Sequence, residues 1–220
     1  MHDERFRKNS EIFLLVLLVI SLSILIARFF LAERLTYLFL SWNLFLAVIP
    51  YLLARLVVYY HYRFEGFSVR LWAVFVGWLL FFPNAPYLLT DYIHLSRLTS
   101  THQFLFDLLM ITSFSLTGLF FGLFSLLLVH DVIRDRLGRW LGWVLVAGIS
   151  LLTGYGVYLG RFARWNSWDI LANPMTLVLD ALARLAHPFG YPKLVTTTVL
   201  FTGFVFGVYV VFRWLVRKVF

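Results

Sequence analysis

Asp91 and His94 stand three residues apart in the stretch FFPNAPYLLTDYIH, downstream of Asn84 and Tyr87. The four are spaced 3, 4 and 3, so at about 100° per residue they share one face of an α-helix. A carboxylate and an imidazole on one face can act as acid–base groups or hold a divalent cation. A second stretch, GRFARWNSWD, gathers Arg161, Arg164, Trp165, Asn166 and Asp169. The planar fork of arginine suits a phosphate or carboxylate. Asp107 and Asn43 complete the set. Asp91, His94 and Asp107 are candidate catalytic groups. Asn43, Asn84, Tyr87, Arg161, Arg164, Trp165, Asn166 and Asp169 are candidate binding groups. A divalent cation is the cofactor these groups could hold, but an Asp-x-x-His pair is a weak metal signal and does not define a ligand set. No HExxH, GxSxG or Walker sequence is present.

The chain that must position these residues is a membrane chain. It has 220 residues, of which 61% are hydrophobic, 20% aromatic and only 14% charged, and its mean hydropathy is +0.85. Soluble domains are roughly 45–50% apolar. Apolar runs recur at the ~20-residue length that crosses ~30 Å of hydrocarbon as a helix. Lipid satisfies no backbone polar group, so such runs must be helical. There are no cysteines, which excludes disulfides and thiolate chemistry. The net charge of +8 is scattered between apolar runs, as membrane flanks are. Membrane lipids are therefore expected partners, other membrane subunits are a second kind, and nucleic acid is not one.

Six spans are expected, at Glu11–Phe30, Tyr37–Tyr60, Val69–Leu95, Phe104–His130, Arg139–Leu159 and Leu194–Leu215. They form an all-α integral membrane bundle, one transmembrane domain over residues 1–220. The first span is too long, and lacks a small-residue cleavage site, for a signal peptide; it reads as a retained anchor. Twelve of the nineteen Lys and Arg residues fall at the termini and in the second and fourth loops. The positive-inside rule then places both termini in the cytoplasm of a bacterial inner membrane.

Pro83 and Pro86 each remove a helix hydrogen bond, so the third span is expected to be one broken helix. Gly-x-x-x-Gly pairs at Gly118/Gly122, Gly138/Gly142, Gly156/Gly160 and Gly203/Gly207 favour close helix approach. In the fifth loop, Asn173-Pro174 starts a short amphipathic helix that ends at His187-Pro188 and lies at the interface. Asp180 and Arg184 pair on its polar stripe. In this topology all the candidate residues reach one membrane face, while the inner halves of the spans are nearly all apolar. Asp91 is expected within reach of Arg161 or Arg164, with both arginines directed inward and Asn166, Ser167 and Asp169 satisfying the turn.

The segments SWNLFLAVIPYLL, FFPNAPYLLTDYIHL, FDLLM…SFSLTGLFFGL and GRFARWNSWDIL together resemble a bacterial family of multi-pass membrane proteins, the domain-of-unknown-function family 1361. The resemblance runs from about Ser41 to the last span and implies an integral membrane protein. It implies no activity. Three function classes stay open. One is a structural or assembly subunit, or a site for an anionic group. Another is a membrane-embedded enzyme acting on a lipid headgroup or other anionic substrate. The third is a small-molecule transporter.

Overall fold

The computed structural model describes residues 4–32, 37–64, 68–97 and 101–219, and among these it contains helices and no strand. Six helical stretches are long and apolar enough to cross a membrane: Glu4–Phe30, Leu38–Arg63, Val69–Leu95, Phe104–Leu137, Arg139–Ala163 and Pro192–Lys218. The chain is a multi-pass membrane protein with an all-α fold, as its apolar runs require.

Helices α1 (Glu4–Ala32), α2 (Leu38–Arg63), α3 (Val69–Phe81) and α4 (Asn84–Tyr87) come first, and a 3-10 segment, Leu88–Arg97, continues α4. Then follow α5 (Thr101–Leu137), α6 (Arg139–Tyr158) and a π turn at Leu159–Ala163. The chain closes with α7 (Asp169–Ala172), α8 (Pro174–Ala186) and α9 (Pro192–Val219). Helix α5 is the axis of the bundle: 72% of its apolar window is buried, against 17% for α1. It packs on α1, α2, α6 and the 3-10 segment.

The break in the third span has a local cause. Pro83 and Pro86 bring no N–H, and the Ala85 amide shortens its bond to the Phe82 carbonyl at 3.1 Å. That would orphan the Phe81 carbonyl, which instead accepts from Asn84 Nδ2 at 2.8 Å. Beyond the break the chain does not return to α-helix. It tightens into a ten-residue 3-10 run, well past the three or four residues usual for this geometry. Side chains from neighbouring helices support it: Ser115 Oγ donates to the Leu88 carbonyl at 3.0 Å. Asp91 and His94 still share a face, because residues i and i+3 eclipse in a 3-10 helix. The expected α-helical register of all four residues is thus replaced by a short α turn and a 3-10 run.

Two of the glycine pairs hold this end together. A Cβ on Gly118 or Gly122 would come within 2.9 Å of Ala85. One on Gly156 would meet Pro83 at 2.7 Å, and one on Gly160 the Tyr87 ring at 3.1 Å. Small residues therefore let α5 and α6 clasp the broken helix from two sides. Gly203 and Gly207 meet nothing within 4 Å and do not serve this purpose. Between α5 and α6 the turn is Gly138 alone, at φ +87°, a region that glycine enters without penalty.

Helix α8 starts with Pro174 in its first turn, and Asn173 holds the cap position without a side-chain capping bond. Its polar stripe turns inward. Arg184 Nε donates to Asp180 Oδ2 at 2.8 Å and Arg184 Nη1 to the Tyr158 hydroxyl at 3.0 Å. Met175, Val178, Leu179, Leu182 and Leu185 are exposed on the other side.

Candidate functional site

Asp91 is 1% exposed, inside the end of the bundle that carries the first, third and fifth connections. Its carboxylate is met from two other spans. Arg161 Nη1 donates to Oδ1 at 3.3 Å and Asn43 Nδ2 to Oδ2 at 3.1 Å. His94 Nε2 stands 4.0 Å from Oδ1, and its ring packs on Phe39 at 4.7 Å. The second arm of Arg161, Nη2, donates to the Thr90 carbonyl at 2.9 Å. A carbonyl in an irregular helix needs such a donor, and a buried carboxylate needs a cation. One arginine thus serves both, with its guanidinium 5.9 Å from the centre of the Tyr87 ring.

Arg161 reaches this position because α6 does not end as an α-helix. The π turn at Leu159–Ala163 widens the last turn, and Arg164 closes it in the left-handed conformation at φ 62°. The chain then reverses, with the Trp165 amide bonded to the Leu159 carbonyl at 3.1 Å. Arg164 is exposed at the corner. Of the two arginines expected to point inward, only Arg161 does, because the corner residue of the reversal must face outward.

Asp107 also departs from the expected group. Arg28 Nε donates to its Oδ1 at 2.5 Å, and Arg28 Nη2 and the Tyr37 hydroxyl to Oδ2 at 3.2 and 2.8 Å. It is fully buried, and the two-pronged bond ties α1 to α5. Among the described residues it shares no hydrogen-bond partner with Asp91. Nor does any group of three or more His, Asp or Glu come together among the described residues.

Of the three residues expected to satisfy the turn, Asp169 caps it. Asp169 Oδ2 accepts from the Asn166 amide at 2.6 Å and from Asn166 Nδ2 at 3.3 Å. Ser167 does something else: its Oγ accepts from Asn84 Nδ2 at 2.8 Å, linking the turn to the helix break. Trp165 Nε1 donates to Asp180 Oδ2 at 2.7 Å, linking it to α8. The bond from Arg184 and, less strongly, this one hold the Asp180 carboxyl below its ordinary range, and the Asp180 and Tyr158 bonds push Arg184 up.

Between these parts lies a cavity of about 390 Å³. Asn43, Asn84, Asn166 and Ser167 supply its polar wall. Trp42, Trp165, Trp168 and Tyr87 supply aromatic surface, and Trp42 and Trp168 meet edge to face at 5.7 Å. Leu46, Leu79, Leu152 and Leu177 form the apolar part. Asp91, His94 and Arg161 support this wall from behind and do not line it. Taken singly, Trp165 and Trp168 read in sequence as ordinary belt tryptophans, since nothing local distinguishes a belt from a mouth.

The opposite end holds residues that the sequence pattern did not single out. His130 Nδ1 and the Tyr209 hydroxyl are 2.7 Å apart, and that hydroxyl accepts from Arg213 Nη1 at 3.0 Å. Arg213 Nη2 donates to Asp131 Oδ1 at 2.5 Å. The inner halves are therefore less apolar than expected. The signal was there, in four polar residues spread over two distant spans, but no spacing relates them.

No curated protein and no solved structure matches this chain. One family model does, over residues 42–211. The match takes in Asn43, the broken helix, Arg161, the tryptophan turn and α8, and leaves out Arg28. On that match the chain belongs to the family described as "Protein of unknown function (DUF1361)".

Proposed function

We propose that this is a multi-pass protein of a bacterial inner membrane, with both termini cytoplasmic, whose cavity binds an amphiphile drawn from the outer leaflet. The cavity carries this reading. Its size falls in the ~300–1,000 Å³ range of small-molecule sites. Polar amides and indoles stand at one part of it and leucines at another, as a molecule with a headgroup and a chain requires. Leu46 lies roughly 12 Å along α2 at 1.5 Å per residue, which is acyl-chain depth. The orientation rests on the Lys and Arg distribution.

The other readings have less behind them. An anion site would use Arg161, whose two nitrogens already serve Asp91 and Thr90. An enzyme would use Asp91 and His94, which stand behind the wall. A transporter needs a path onward, and below the break Trp78 and Phe82 are packed in the core. An assembly subunit would explain the buried ties but not the cavity.

The test is native mass spectrometry of the full chain purified in mild detergent, comparing wild type with Leu152→Trp. Leu152 lines the cavity and is half exposed, so a larger side chain fills space without strain in the core. The wild type should retain an amphiphile that the variant loses. Identical retention in both would overturn the reading. A C-terminal reporter should read cytoplasmic, and a cysteine at exposed Arg164 should label from outside; the chain has no other cysteine.

A further inference from the structure

Resting on that reading, we infer that the cavity selects a neutral, hydroxyl-rich headgroup, a glycosyl or similar polyol group, over a phosphate. Two independent features of the wall point to it.

The first is the balance of donors and acceptors. Among the described residues, no Lys, Arg, His, Asp or Glu lines the cavity. Several of its amide, indole and phenol donors are spent. Asn43 Nδ2 serves Asp91, and both protons of Asn84 Nδ2 serve Phe81 and Ser167. The Trp165 indole serves Asp180, and the Tyr155 hydroxyl donates to the Ala181 carbonyl at 2.6 Å. These partners are carboxylates, carbonyls or a hydroxyl oxygen, so they fix which end of each amide points at them. What Asn84 has left to offer a ligand is the carbonyl oxygen. Asn43 keeps its carbonyl oxygen and one N–H, and the Tyr87 and Ser167 hydroxyls and the Trp42 and Trp168 indoles add neutral donors. A phosphate brings acceptors only, so it would set oxygen against those amide carbonyls, and its charge would meet no cation among the described lining residues. A hydroxyl brings the proton those oxygens require. Sites built to bond a hydroxyl discriminate strongly, because an unfilled acceptor stays desolvated.

The second is the aromatic mouth. Trp42 is 51% exposed, and its ring meets Trp168 at the cavity. The indole face is apolar and electron-rich, and it packs against the C–H face of a pyranose ring while the hydroxyls at the ring edge stay free for the amides.

The test uses the full chain in a polyoxyethylene detergent, since sugar detergents would compete. Monoglucosyl diacylglycerol, phosphatidylglycerol and diacylglycerol are offered in equal amounts and bound lipid is read by native mass spectrometry. The glucosyl lipid should be retained about ten-fold over each of the others, the discrimination that one or two well-placed hydrogen bonds supply. Trp42→Ala should abolish that preference and leave the melting temperature unchanged, because the side chain is half exposed. Retention of phosphatidylglycerol or diacylglycerol equal to that of the glucosyl lipid overturns the glycosyl assignment while amphiphile binding stands. No retention of any of the three overturns the amphiphile reading itself. Displacement by methyl β-glucoside at the same concentration as the lipid supports the glycosyl class and removes the amphiphile. A preference unaffected by Trp42→Ala places the lipid elsewhere and overturns both.

Discussion

Two buried ion pairs, at opposite ends of the bundle, have very different surroundings. Asp131–Arg213 sits among regular helices. Arg213 is 3% exposed, His130 is 1% exposed, and the Trp143 ring meets His130 edge-on at 4.8 Å. Gly142 brings α6 so close that a Cβ there would lie 3.1 Å from His130 Nε2. Asp91–Arg161 is joined by segments that are not α-helical: a proline break, a 3-10 run and a π turn. Regular helices pack flush and fill the space around their charges. Irregular backbone cannot, and it is tolerated at membrane depth where it is enclosed by protein or lines a cavity. The ion pair by itself therefore does not mark a site. At one end it is a tie within a filled core; at the other it braces the wall of a cavity.

The largest effect that would sharpen this contrast is on Asp91. Asp91→Ala leaves Arg161 buried without its partner and should cost about 3–5 kcal/mol, with much of the loss recovered on adding Arg161→Ala. Thermal unfolding of the purified variants measures both; strictly additive losses would contradict a coupled pair. Arg213→Ala should cost somewhat less, about 2–4 kcal/mol, since Asp131 is 20% exposed and keeps water nearby. It should leave amphiphile retention unchanged. A retention defect as large as that of a cavity variant would break the contrast between the two ends.

Smaller effects probe the clasp. Gly156→Ala drives a methyl into Pro83 and should cost about 1–3 kcal/mol. Gly203→Ala, with nothing within 4 Å, should cost nothing and gain a few tenths from helix propensity. Equal outcomes for the two would remove the close approach as the cause.

The smallest effect concerns α8. Asp180 is held below its ordinary range by Arg184 first and Trp165 second. Its contribution is therefore complete above the unfolded value, ~4, and is lost as pH falls through the folded value. A partly exposed i,i+4 pair contributes only about 0.5 kcal/mol. Asp180→Asn should mimic acid pH by loosening α8, read as faster labelling of a cysteine placed at Leu177. Labelling that ignores both pH and the substitution would show that this clip does not hold the cavity wall.

Much of this architecture was legible in the amino-acid sequence, because hydropathy and helix periodicity act locally. Six spans, the broken third helix, the α8 pair of Asp180 and Arg184, and the meeting of Asp91 with the GRFARWNSWD stretch all follow from run lengths, prolines and spacing. The rest depended on groups far apart in the chain. Whether Arg161 or Arg164 turned inward was decided by a π turn, which spacing along an ideal helix cannot register. Asp107 went to Arg28 because α1 packs on α5, a contact no pattern in either segment announces. The cavity exists because Gly156 and Gly160 meet Pro83 and Tyr87 at a helix that could not repack as α. A void is a property of the space between elements, so only the tertiary structure could decide it.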